Sequence, residues 1–103
     1  MAQYRITYWK DIPSQVDAVD GSERVRRPLS DRFQELIDAA AMQQGLFGTD
    51  AYLEGWRIGP VMARVGSPGE VAGAVAAEIE ATFEDIQAAA LGRPAQRAGE
   101  QEQ

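Results

Sequence analysis

Two short strings of the sequence hold the residue types best suited to recognising a protein partner. Trp9, Lys10 and Asp11 follow one another, and Trp56 and Arg57 repeat the pairing of an indole with a cation. Trp, Tyr and Arg dominate binding hot spots because they combine a large apolar surface with a polar group. These five residues form the predicted partner-binding set.

A second cluster is basic. Arg24, Arg26 and Arg27 lie within four residues of one another. Arginine forms bidentate pairs with carboxylates and phosphates, so the three could contact an anion. The alternative is a solvated stretch that makes weak ion pairs, each contributing about 0–1 kcal/mol. The sequence leaves both interpretations open.

The residues that most enzymes use are missing. The chain has no Cys and no His, which excludes Ser-His-Asp and Cys-His catalysis and Cys or His metal sites. No catalytic, cofactor-binding or metal-binding residue is predicted, and the acidic residues match no calcium-loop pattern. An enzyme built on this chain would use carboxylate, Tyr and Arg chemistry. Tyr8, Asp11 and Arg57 form the best polar set, and a general-base carboxylate there would need a pKa raised by burial.

Composition indicates a single acidic domain. The chain has 103 residues and a net charge of −6, which argues against binding to nucleic acid or to an anionic membrane. Residues 1–29 carry five basic and four acidic side chains, whereas residues 30–91 carry three and ten, so the predicted helical part is acidic. No apolar run approaches the ~20 residues that span a bilayer, and no secretory signal is recognisable, so we expect a cytoplasmic protein.

Alternating apolar and polar residues predict a β-hairpin near the N-terminus. Tyr4–Trp9 and Gln15–Val19 both repeat every two residues, as strands do. If Tyr8 faces the core, this alternation places Trp9 on the opposite, exposed face of the sheet. The alternative is that the loop at 45–50 or the C-terminal tail covers Trp9.

Helical spacing predicts two amphipathic helices. The first spans Ser30–Gln44, with Ser30 as N-cap. The second begins at a capping box of Ser67 and Glu70 and ends near Leu91. Between the helices, residues 46–50 form a predicted loop, and one bent strand or two pieces lie within 52–65.

These elements predict an α+β fold in the order β-β-α-β-α, with a small antiparallel sheet and two amphipathic helices packed on one face. The domain is expected to span residues 1–91, followed by a disordered tail at 92–103, which is polar and has little to bury. The predicted core consists of Tyr4, Ile6, Tyr8, Val16, Phe33, Leu36, Ile37, Ala40, Val71, Val75, Ile79 and Phe83.

Four stretches together resemble one known family. They are Tyr8–Val16, Arg27–Phe33, Ile37–Met42 and Thr49–Arg57. They are similar to the bacterial virulence factor domain, which also occurs in the larger conserved virulence factor C proteins. The resemblance implies a small domain without established enzymatic activity. It further implies an accessory role near folate and corrinoid one-carbon enzymes, and it carries over no catalytic residue.

We therefore expect a non-enzymatic accessory or protein-binding module, whose partner is another protein or a second copy of the chain. The alternative is a small-ligand-binding domain or an enzyme. A deep pocket with converging polar groups would favour the alternative, and a flat aromatic surface would favour the binding module.

Overall fold

A computed structural model describes residues 1–91 as one antiparallel sheet with four helices. The strands are β1 (Ala2–Trp9), β2 (Ile12–Asp20), β3 (Glu23–Pro28), β4 (Trp56–Ile58) and β5 (Met62–Arg64). The helices are α1 (Asp31–Gln43), α2 (Asp50–Glu54), α3 (Pro68–Ala81) and α4 (Phe83–Leu91). The predicted α+β class with a small antiparallel sheet is confirmed. The tail predicted at 92–103 lies outside the described residues, and the domain boundary stays a prediction.

The sheet has the order β3-β2-β1-β4, and β5 also pairs with β1. Because β2 occupies one edge of β1, β4 and β5 share the other edge. β4 pairs with the C-terminal end of β1 and β5 with its N-terminal end. The predicted hairpin is confirmed, with Ile6 opposite Val16.

The arginine-rich stretch is a strand, which the sequence analysis did not predict. Arg24, Arg26 and Arg27 lie on β3, which pairs with β2 along its whole length. An outer strand tolerates charge on both sides, since its free edge faces water and charge discourages unwanted pairing. β3 can therefore extend the sheet although Val25 is its only residue that is not exposed.

The core lies between the sheet and the helices. α3 packs across β1, β2 and β3, and α1 contacts β2 and α4. Eight of the twelve predicted core residues are buried: Ile6, Val16, Phe33, Leu36, Ile37, Ala40, Val71 and Val75. The other four, Tyr4, Tyr8, Ile79 and Phe83, are half-buried against this core. Buried residues that the prediction left out include Trp9, Ile12, Ala18 and Leu29.

The last predicted helix is divided in two at Thr82. The Thr82 hydroxyl donates to the carbonyl of Ile79 at 2.9 Å, and its amide bonds the same carbonyl at 3.0 Å. Side-chain bonds of this kind compete with the regular helical pattern. α4 can therefore turn away from α3 and set Phe83 edge-on against Phe33, with ring centroids 5.0 Å apart.

Both predicted N-caps are in place, but they act differently. Ser67 and Glu70 form the predicted capping box, in which each side chain accepts from the backbone amide of the other residue. Ser30 caps α1 by position only, because its hydroxyl and amide both donate to the carboxylate of Glu80 at 2.8 and 2.7 Å. Glu80, at the end of α3, thereby ties the start of α1 to α3.

Candidate partner-binding surface

Trp9 is buried, so the expectation that it is exposed is wrong. Its exposed fraction is 0%, and its indole Nε1 donates to the backbone carbonyl of Tyr52 at 2.7 Å. The two rings pack with centroids 5.6 Å apart, and Gly55 lies directly against the indole. A segment does cover Trp9, but the contacts come from Tyr52 and Gly55, in α2 and the turn after it, whereas the alternative named the loop at 45–50 or the tail.

The prediction of an exposed Trp9 is wrong because α2 and the turn after it cover this end of the hairpin. The register with β2 shifts between Thr7 and Tyr8, where Ser14 of β2 has no partner on β1. Such a bulge bends the sheet locally and increases its twist. α2, which the sequence analysis placed in a loop and a strand, then closes over the end of the hairpin.

The turn after Trp9 is held in place from two sides. Lys10 adopts a left-handed backbone conformation, with φ of 53°, and its amide donates to the Gly55 carbonyl at 2.7 Å. Its Nζ donates to Gln44, the C-cap residue of α1, at 2.7 Å and lies 5.3 Å from the Trp9 ring. The Lys10 cation is thus fixed at the surface directly above the buried indole.

Arg57 joins this turn from β4. Its guanidinium stacks on Tyr8 at 4.4 Å, its Nε donates to the Lys10 carbonyl at 2.9 Å, and its Nη2 lies 3.5 Å from Asp11. The structure therefore brings Lys10, Asp11 and Arg57 together, with all three exposed. Trp56, opposite Trp9 in the register, is half-buried.

An aromatic cluster that the sequence analysis missed lies beside this turn. Tyr52 contacts Phe47 and Trp56 edge-on, with centroids 5.9 and 6.4 Å apart. Leu53, on the same short helix, is 65% exposed, and Phe47 is also exposed. A local signal for α2 existed in the sequence, since Thr49 and Asp50 are typical of a helix start.

We call the residues around this turn the hairpin-end surface; they are the exposed Lys10, Asp11, Phe47, Leu53 and Arg57, together with the half-buried Trp56. An open hollow of about 410 Å³ lies within this region, between Lys10, Arg57 and the start of α2. A second hollow of about 450 Å³ lies on the other side of Lys10, against α1 and α4.

The three arginines of β3 do not converge. Arg24 and Arg26 stand opposite Val19 and Asp17, and Arg26 Nε donates to Asp17 at 3.0 Å. Arg27, one residue further, points to the other face of the sheet, near Gly73 of α3. This arrangement does not bring the three guanidinium groups to one point, and the predicted anion contact stays a prediction. Arg24 instead shares a small groove of about 150 Å³ with Arg5.

The carboxylates with shifted pKa values lie outside the hairpin-end surface. The Arg64 side chain lowers the pKa of Glu78 by hydrogen bonding, and Ser67 lowers that of Glu70 through its amide and hydroxyl. Partial burial would raise the pKa of Glu80, but the bonds from Ser30 and Arg32 outweigh it and lower this pKa. Each shift follows from an ion pair or a helix cap, so none marks a general base.

Neither a metal cluster nor a membrane span is found in the described part of the chain. Among residues 1–91, no three carboxylates gather closely enough to hold a metal ion. No helix in that range has the length and apolar character needed to cross a bilayer.

Comparison with known families gives one match. The sequence model of a family described as virulence factor matches residues 7–91, well over half of the chain. The chain belongs to the virulence factor family. The matched range of this virulence factor domain contains the whole hairpin-end surface, from Lys10 to Arg57. No curated protein and no solved structure matches the chain.

Proposed function

We propose that this virulence factor domain is a non-enzymatic, cytoplasmic accessory module that binds another protein through its hairpin-end surface. The observation that supports this most directly is the fixed placement of exposed cations and apolar groups over a buried aromatic support. Lys10 and Arg57 are held by backbone contacts to the neighbouring element, while Leu53 and Phe47 stay uncovered.

Rigid support of this kind favours binding. Association loses free energy when flexible side chains become ordered, at about 0.5–1.5 kcal/mol for each immobilised side chain. Arg57 already stacks on Tyr8, and Lys10 is already bonded to Gln44, so part of that loss is absent. The surface also contains two residues of the types that are enriched in hot spots, Trp56 and Arg57.

The partner class follows from the family resemblance rather than from the surface. The resemblance implies a role beside folate- and corrinoid-dependent one-carbon enzymes, and we propose such an enzyme as the partner. Residues 30–91 carry ten acidic and three basic side chains, of which Arg57 belongs to the hairpin-end surface. The acidic side chains of this range would then face away from the contact or meet a basic partner.

Small-ligand binding is the second candidate. It is favoured by the hollow of about 450 Å³ beside α1 and α4, a volume in the usual range for ligand pockets. Its lining combines the apolar Ile12 and Ile86 with polar Lys10, Asp11 and Gln44. The Lys10 amine already binds Gln44, so a ligand there would have to replace that contact.

The test is capture of partners by the tagged protein from its native cell extract, followed by calorimetry with purified folate- and corrinoid-dependent one-carbon enzymes. Two variants probe the surface, Arg57→Ala and Leu53→Ala. We expect Arg57→Ala to weaken binding by about 2 kcal/mol, a loss of roughly 30-fold. Leu53→Ala, whose side chain is mostly exposed and supports little structure, should weaken binding without loss of stability.

The matched control is Arg24→Ala, which removes an exposed arginine from the open face of the sheet. Its affinity should equal that of the wild type. If the Arg57→Ala and Leu53→Ala variants both bind with the affinity of the wild type, and circular dichroism shows that both are folded, the hairpin-end surface is excluded as the contact. If no enzyme binds and a small molecule stabilises the protein thermally, the second candidate replaces the first.

A further inference from the structure

The free edge formed by β4 and β5 is unusually apolar. Eight large apolar side chains are exposed in residues 1–91, and half of them lie within residues 58–65. These are Ile58, Val61, Met62 and Val65, of which Val65 is 81% and Val61 is 55% exposed. In the part of the chain that the structure describes, no strand pairs with the outer edge of β5. An exposed edge strand with apolar side chains is a template for pairing with another strand.

The opposite edge of the sheet is protected by comparison. β3 carries three arginines and ends at Pro28, and both features discourage edge-to-edge pairing. On the apolar edge, Pro60 lacks an amide hydrogen and Gly66 adopts a φ of 132°, a conformation that ends a strand. The stretch available for pairing is therefore Val61–Val65, with β5 at its centre.

This stretch is complementary to itself. β5 places Met62 and Arg64 opposite Tyr4 and Ala2, and Ala63 lies on the other face. Val61 and Val65 flank the strand, and pairing that extends it by one residue at each end would place both on the face of Ala63. If two copies pair in antiparallel fashion about Ala63, each Val61 stands opposite Val65 of the other copy. β-branched cross-strand pairs of this kind stabilise sheets by about 0.2–1 kcal/mol each.

Charge does not oppose this pairing. The only charged side chain of the stretch is Arg64, and it forms two hydrogen bonds to Glu78 of its own α3, at 2.7 and 3.0 Å. Each copy therefore brings a neutralised pair to the contact. Two β3 edges, in contrast, would bring three arginines of each copy against one another. Because this edge is complementary to itself and its one cation is already paired, we expect its partner to be the same edge of a second copy of the chain.

We propose that the chain forms a two-fold symmetric dimer by antiparallel pairing of Val61–Val65 with the same stretch of a second copy. The contact extends one sheet into the next, with backbone hydrogen bonds and two Val61–Val65 contacts across the axis. Five residues from each copy make an interface at the small end of specific contacts, so we expect dissociation in the micromolar range.

The test is sedimentation equilibrium of the full chain from low to high micromolar concentration. The wild type should shift from monomer to dimer, and Val65→Lys should weaken the dimer at least tenfold by placing an unpaired charge against Val61. The control is Met42→Lys, which adds the same charge at an exposed apolar position of α1 and should dimerise like the wild type.

A charge pair tests the register itself. Val61→Lys and Val65→Glu variants should each dimerise poorly alone, while an equimolar mixture should regain the dimer because Lys and Glu then face each other. A wild type that stays monomeric at all concentrations would overturn the proposal. So would a Val65→Lys variant that dimerises normally, or a mixture no tighter than its components. This test does not involve the hairpin-end surface, so either proposal can fail alone.

Discussion

Replacement of Trp9 provides the most direct check on the architecture of the candidate surface. The side chain is fully buried, contacts Tyr52 and Gly55, and donates a hydrogen bond to the Tyr52 carbonyl. Removing a buried Trp side chain typically destabilises a protein by about 3–5 kcal/mol. Small domains have about 5–15 kcal/mol of stability in total, so Trp9→Ala should lose a large part of it.

Trp9→Phe separates the hydrogen bond from the packing. The phenyl ring keeps most of the apolar contact but has no donor, so the loss should be smaller, about 1–3 kcal/mol. Urea unfolding followed by Trp56 fluorescence measures both variants, because Trp56 is present in each. For a domain of this size, each kcal/mol lowers Tm by about 4–8 °C, so Trp9→Ala should melt at least about 12 °C below the wild type.

A decrease in unfolding free energy of less than about 1 kcal/mol for Trp9→Ala would refute this reasoning, because it would be nearer to the roughly 0.5 kcal/mol of a surface substitution than to the cost of removing a buried Trp. Trp56→Phe is the control, since Trp56 is half-buried. It should change stability by about 1 kcal/mol or less, measured by circular dichroism so that the signal does not depend on which of the two Trp side chains remains.

Two further predictions concern other contacts. Gly55→Ala should destabilise the protein by at least about 1 kcal/mol in urea unfolding, because the added Cβ would lie 2.6 Å from the indole nitrogen of Trp9. Gly69→Ala is the control: no atom lies within 4 Å of its added Cβ, so it should be neutral or stabilise the protein by about 0.4–1 kcal/mol. Glu80 has a lowered pKa in the folded state, so its bonds to Ser30 and Arg32 stabilise the protein above its ordinary pKa of 4.5 and are lost as pH falls through the folded value. Stability measured between about pH 6 and pH 3 should therefore fall less steeply in Glu80→Gln than in the wild type, and parallel curves would contradict this assignment.

The features that the sequence predicted correctly depend on contacts close in the chain. The capping box of Ser67 and Glu70 spans three residues, and the buried face of α1 follows from helical spacing alone. The hairpin of β1 and β2 also joins neighbouring segments. Such local patterns are fixed by backbone geometry, so one sequence is enough to recognise them.

The features that were predicted wrongly depend on distant contacts. Trp9 is buried by contacts with Tyr52, which is 43 residues away and lies in a short helix that the sequence did not predict. Thr82 interrupts a helix whose spacing continues through it, because its hydroxyl bonds the Ile79 carbonyl. In each case the deciding partner becomes visible only once the chain is folded.

The burial of Trp9 changes its role in the candidate site without removing it. The buried indole donates to the carbonyl of Tyr52 and lies beneath the Lys10 cation, so it supports the hairpin-end surface from below. Under the proposed function, the direct contacts would come from Lys10, Asp11, Arg57 and the α2 side chains instead. A partner would therefore bind a surface formed by two segments distant in sequence, the β1–β2 turn and α2, which the Trp9–Tyr52 contact holds together.

The two proposed contacts are compatible because they use opposite ends of β1. Trp56 and Arg57 lie on β4 beside the C-terminal end of β1, whereas β5 lies beside its N-terminal end. Antiparallel pairing about Ala63 would therefore carry the two hairpin-end surfaces away from the axis, towards opposite ends of the joined sheet. A dimer built in this way would present two separate copies of the surface. Two sites on one particle bind a multivalent partner more tightly than either site alone, without any new contact.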